Sequence, residues 1–178
     1  MVGLPDPLCE QVACNIGAAP PKGRNIMKEL SDRLAIEEVL RRYMLAVDTA
    51  DAAALRSVFS EEGRLRSAVG SFTADEFVAF VCEMKSVVKV TLHHLSNTII
   101  TLDGDNATSV SYFNAVHVVP AKTPTNAFGQ VDEATDVTMA GQYHDQVKRF
   151  SDGWKIVDRF SVIAYQCWAP SRDPSRTS

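Results

Sequence analysis

The sequence predicts an α+β domain, a curved and mostly antiparallel sheet packed against three N-terminal helices with a pocket between the two layers. Three observations carry this. Helical periodicity fills the first half of the chain and strand alternation the second, the order in which helices gather on one face of an antiparallel sheet. Short turn signals, Asp103-Gly-Asp-Asn106 and Ser151-Asp-Gly153, separate long strands. A chain of 178 residues, 46% apolar and 22% charged, is long enough for one domain with a core and short for two.

Residues 1–26 carry Pro5, Pro7, Pro20, Pro21, Gly17 and Gly23 without periodicity and read as a flexible extension. The domain is expected over 27–168, with a disordered tail over 169–178. The first helix spans about Lys28 to Thr49, with Leu34, Ile36, Val39, Leu40, Tyr43, Met44 and Val47 on one stripe. Asp51 can cap a short second helix carrying Leu55, Val58 and Phe59, and Arg64 to Val69 can form a short strand. Thr73-Ala-Asp-Glu76 is a capping box opening a third helix with Phe77, Phe80, Val81 and Met84 inward. Four long strands follow: Val90 to Leu102, Ala107 to Val119, Thr138 to Phe150 and Trp154 to Trp168. A polar loop from Pro120 to Asp136 divides the second from the third.

A net charge of −4 argues against nucleic acid and anionic membrane, whose phosphates are met by clustered Lys and Arg. No apolar run approaches the roughly 20 residues that span a bilayer. The N-terminus lacks the basic-then-apolar order of a secretory signal, so cytoplasm is expected. Four cysteines without a Cys-x-x-Cys pair point away from a disulfide framework and from structural zinc. There is no phosphate-cradling glycine loop and no Gly-x-Ser-x-Gly elbow, which leaves nucleotide cofactors and serine-hydrolase chemistry without support.

The chemistry-bearing residues are an acid and a histidine pair. Asp48 follows Met44 by four residues and so projects toward the apolar side near the helix end. His93 and His94 open the first long strand. An acid on an apolar helix face and an imidazole on an apolar strand are each costly to bury alone. Set against each other they form a general base with its orienting partner. Strand alternation lets only one histidine face the pocket. Leu95, Asn97 and Ile99 go with His93, whereas Ser96, Thr98 and Ile100 go with His94. Tyr112, Asn114, Val116 and Val118 share a face, as do Tyr143, Asp145, Val147 and Arg149. Each has an ordinary explanation when taken alone: Asp48 as a solvated helix end, Tyr43 as core, Arg149 as a surface cation, His117 and His144 as loop or solvent residues. Adjacent histidines diverge and no His-x-His spacing occurs, which argues against a metal.

In order, Ala35-Ile-Glu-Glu-Val-Leu-Arg-Arg-Tyr43, Val47-Asp48, Leu92-His-His-Leu-Ser-Asn97, Gly141-Gln-Tyr143 and Asp152-Gly-Trp154 resemble the SnoaL-like branch of the nuclear-transport-factor-type fold. That group includes scytalone dehydratase, and the resemblance covers roughly Leu30 to Trp168. It implies a cone-shaped, half-open barrel with a deep apolar pocket and cofactor-free chemistry. In the eliminating members an Asp at the end of the first helix pairs with a His at the start of the long strand. Those positions match Asp48 and, through the His-x-x-x-Asn spacing, His93 with Asn97. Tyr43 and Arg149 match further catalytic positions, and Tyr112 or Asn114 stands near where scytalone dehydratase has a second histidine. The resemblance therefore implies a lyase or isomerase acting on a small hydrophobic, cyclic or polyketide-like substrate. His93 would be the base, Asp48 its orienter, and Tyr43 and Arg149 the stabilisers of a leaving group or enolate. Asn97, Tyr112, Asn114 and Tyr143 would line the substrate under a lid formed by the loop from Pro120 to Asp136. A homodimer or homotrimer is expected. The same fold also serves non-catalytic ligand binders and small subunits of ring-hydroxylating dioxygenases, which stand as the alternatives.

Overall fold

A computed structural model describes residues 25–88, 90–122, 124–125 and 128–171. Helix α1 (Ile26–Thr49) starts at Asn25, whose side chain accepts the Lys28 amide. It stops at Ala50, whose left-handed backbone (φ 52°) returns its amide to the Ala46 and Val47 carbonyls. The buried stripe is Asp32, Ile36, Leu40, Tyr43 and Met44. Leu34, expected on that stripe, lies about 200° around the helix from Ile36 and is 55% exposed. Helix α2 (Ala52–Ser57) is capped by Asp51. Phe59, expected on this helix, instead opens strand β1 (Phe59–Ser67), and β2 (Gly70–Thr73) folds back on it. The capping box at Thr73 and Glu76 then starts α3 (Ala74–Val87).

The long strands are β3 (Val90–Asp103), β4 (Asn106–Val119), β7 (Thr135–Phe150) and β8 (Gly153–Pro170). The loop between β4 and β7 carries a small two-stranded ribbon, β5 (Pro124–Thr125) and β6 (Gly129–Gln130). Six strands form one curved sheet in the order β2-β1-β8-β7-β4-β3, open rather than closed into a barrel. All pairs are antiparallel except β1 with β8. The helices cover one face, and the core between them gathers Leu40, Tyr43, Leu55, Phe59, Phe77, Phe113 and Tyr143.

Register decides what faces that core. Irregularities fall between Ser96 and Ile99, between Ala140 and Gly141, and between Gln146 and Val147. Each extra residue turns the following side chains to the other face. At the first, Asn97 adopts φ 48°, and the inward set passes from His93 and Leu95 to Ile100. Asn97 and Ile99, expected beside His93, therefore point away from it.

The flexible extension expected over 1–26 lies outside the described residues apart from its last two positions, where α1 begins. The last strand runs to Pro170, and the rest of the expected tail beyond Ser171 lies outside the described residues. Among the described residues no helix is long and apolar enough to cross a membrane.

Candidate active site

Asp48 stands in the last turn of α1, where the helix dipole is negative and no basic residue offsets it. Its carboxylate is met from β3 instead. β3 is an edge strand, so part of its backbone is free of ladder bonds. The His93 amide donates to Asp48 Oδ2 at 2.9 Å, and His93 Nδ1 lies 2.6 Å from Asp48 Oδ1. An ionised carboxylate only accepts, so Nδ1 is the donor of this contact, and a neutral ring then has its lone pair on Nε2. The two side chains retain 16% and 10% exposure for Asp48 and His93, enough shielding to strengthen the contact. His94 pairs with Asn114 on the outer face, which settles the alternation in favour of His93.

A second histidine completes the cluster. His117 packs edge-on against His93, with ring centroids 5.2 Å apart. It is buried on the inner face of β4, near that strand's end, not at the loop or solvent position the sequence suggested. Burial, aided by the neighbouring His93, lowers its pKa to about 3, so the ring is neutral at ordinary pH. Its Nδ1 is buried without a hydrogen-bond partner. Phe128, from the loop between β4 and β7, lies 4.9 Å from the His117 ring and 6.1 Å from that of Trp168.

Further along the inner face is a buried charge pair. Arg159 Nε and Nη2 donate to Asp145 Oδ1 and Oδ2 at 2.6 and 2.9 Å, and the Ser109 hydroxyl donates to the same carboxylate at 3.2 Å. The guanidinium lies over the rings of Tyr43 (4.0 Å) and Tyr143 (4.4 Å), while Nη1 has no partner. Burial pushes the Tyr43 hydroxyl up to about 12, so it remains a donor at neutral pH. Burial likewise raises Tyr143, whose surroundings include the charge of Asp48. Tyr143 thus connects the His93 end of the site with the Arg159 end.

The family model of the SnoaL-like domain matches residues 28–159. The chain belongs to this family. Among curated proteins, none matches the chain. Solved structures share the architecture at low identity. The hexachlorocyclohexane dehydrochlorinase LinA-type3 of Novosphingobium barchaimii LL02 superposes with a TM-score of 0.70 at 14% identity, covering 83% of this chain and 99% of that one. A candidate scytalone dehydratase of Novosphingobium aromaticivorans DSM 12444 gives 0.68 at 21%, covering 82% and 93%. A candidate aromatic ring hydroxylase from Novosphingobium aromaticivorans gives 0.67 at 23%, covering 79% and 94%. At these identities the likeness is one of fold.

Of the residues the sequence nominated, this SnoaL-like domain brings Asp48, His93, Tyr43 and Tyr143 to its interior. Arg149 is on the same sheet face but at the other end. It pairs with Asp32 and with Asp105, and stacks on Trp154 at 4.5 Å. Asp32 precedes Asp48 by sixteen residues of one helix, about 24 Å of rise, so Arg149 cannot serve His93. Tyr112 and Asn114 are exposed on the outer face, because their neighbours Phe113 and Ala115 are the inward pair. Asn97 sits in the bulge, where with Glu37, Arg41, Leu95, Ser96 and Thr98 it lines a surface recess of about 230 Å³. That recess does not include His93, and the rings of Phe59, Phe77 and Tyr143 pack around Tyr43. Sequence reading missed His117 and Arg159. For His117 the hairpin count from Asp103 and Asn106 misleads, since it places His117 opposite Leu92 and the bulge between Ser96 and Ile99 moves it opposite Thr91.

Proposed function

We propose that this SnoaL-like chain is a cofactor-independent lyase or isomerase in which His93, oriented by Asp48, removes a proton from carbon beside a carbonyl. The observation that carries the reading is the two-point grip of one carboxylate on the backbone amide and ring nitrogen of the same histidine. That grip fixes ring orientation and tautomer together and leaves Nε2 as the base. Asp48 then balances the imidazolium as it forms.

In the proposed step the C–H electron pair passes into an enolate as Nε2 takes the proton. The enolate then expels hydroxide or halide from the adjacent carbon in a lyase, or is reprotonated elsewhere in an isomerase. When hydroxide leaves, the imidazolium proton completes a water molecule. Tyr43 and the unpartnered Nη1 of Arg159 supply donors for the developing oxyanion, the role first expected of Arg149. Neutral His117 packs against His93 without competing for the proton. Phe128 shields this end from water. The apolar and aromatic surroundings favour a hydrophobic cyclic substrate, in keeping with the substrates named for the dehydrochlorinase and dehydratase relatives in fold.

The test uses proton exchange, which needs no knowledge of the leaving group. With 2-tetralone in deuterated buffer, NMR follows loss of the protons next to the carbonyl. The wild type should accelerate exchange, and His93→Ala and Asp48→Asn should each remove on the order of 100- to 10,000-fold of that rate while remaining folded. Variants exchanging as fast as the wild type would defeat the proposal.

A further inference from the structure

The inward stripe of α3 runs Phe77, Val81 and then, four residues on, Lys85. Helical spacing thus puts an ammonium where the stripe calls for another apolar side chain. A cation held toward the interior needs something to meet its charge. Lys85 is half-buried, and its Nζ donates to Thr91 Oγ1 at 3.2 Å. That hydroxyl in turn donates to the Asp48 backbone carbonyl at 3.3 Å, two residues along the strand from His93. Thr91 is neutral, and among the described residues no carboxylate forms an ion pair with Lys85. The ammonium is close enough for its charge to act on His117. A positive group therefore borders the cluster of Asp48, His93 and His117, satisfied by a single hydroxyl.

We infer that Lys85 is a specificity-determining residue, whose ammonium receives a carboxylate carried by the substrate while the reacting carbon sits at His93. The inference rests on the proton-abstraction reading above and names the substrate class for that same site. An ammonium has three donors, of which Thr91 uses one, so two remain for an anion. The competing role is mechanical. A cation in the last turn of α3 suits the helix dipole, and its bond to Thr91 ties α3 to β3. A purely mechanical lysine would alter melting temperature and leave ligand charge preference untouched.

The experiment compares 2-naphthoate with its neutral isostere 2-naphthamide by calorimetric titration of the wild type, K85M and K85R, with K85Q replacing K85M should the latter unfold. Histidine ¹⁵N spectra are recorded along each titration. Both probes should move the His93 signals. The wild type should prefer naphthoate about tenfold, the ratio that one charge-assisted hydrogen bond gives. K85M should bind both probes alike with its naphthamide affinity unchanged, and K85R should keep most of the preference. Equal affinities in the wild type, or a preference surviving in K85M, would overturn the role of Lys85 and leave His93 as base untouched. Probes that fail to bind, or bind without moving His93, would overturn the placement of the substrate at His93 and this inference with it.

Discussion

Arg159 holds a full charge in the interior because Asp145 grips it at two points and two tyrosine rings cover its faces. Breaking one half leaves the other as a buried, uncompensated ion. Arg159→Met should therefore destabilise the fold by about 3–5 kcal/mol in denaturant unfolding, and the double variant Asp145→Leu with Arg159→Met should recover most of it. The sequence hid this pair for a definite reason. Counting alternately from Trp154 and Ile156 puts Asp158 inward and Arg159 outward, next to the β8 surface where Arg66 does meet Asp158. One extra residue in β8, opposite the step from Gln146 to Val147, reverses the count. Asp48 follows from the helix phase, whereas strand alternation left the choice between His93 and His94 open and only the family resemblance favoured His93.

At the level of elements, the legible parts were those with local signals. The capping box of α3, the Asp51 cap and the turn at Asp103–Asn106 all fall where their residue types require them. Bulges have no such marker except where a glycine is forced, and Gly141 is that case. It sits where β8 shifts register, and a Cβ there would stand 1.9 Å from the Val162 carbonyl oxygen and 2.9 Å from Phe113. The nearer atom is backbone and cannot swing aside. Gly141→Ala should lower stability by about 2–3 kcal/mol, read as a drop in thermal midpoint, whereas Gly104→Ala meets no atom within 4 Å and tests only its positive φ of 60°. The edge position of β3 matters in the same way. It leaves the His93 amide free for Asp48, so the free rim of the sheet becomes half of the candidate site.

For the molecule as a whole, burying a neutral imidazole sets a dependence of stability on pH. His117 protonates near pH 3 in the folded chain against its ordinary 6.5. Between those values the unfolded chain binds a proton that the folded chain does not. Stability should therefore rise with pH across that window and fall as acid is added, apart from what the carboxylates contribute. His117→Phe should flatten the slope relative to wild type in melts taken across the window, and an unchanged slope would place the ring in contact with water. The same burial keeps His117 uncharged beside the base, which separates the roles of the two rings by environment. The family and the α+β architecture were readable from the order of elements. The register beyond each bulge was not, because one extra residue shifts it with little local signal.

Which ring nitrogen of His93 bears the proton decides the account more directly than any rate. A two-dimensional ¹⁵N–¹H correlation spectrum of the histidines, taken with the imidazole neutral, reports it without a substrate. Nδ1 should be protonated and Nε2 bare in the wild type, with that bias lost in Asp48→Asn. A wild-type spectrum with the proton on Nε2, unchanged by the substitution, would contradict the claim that Asp48 prepares His93 as the base.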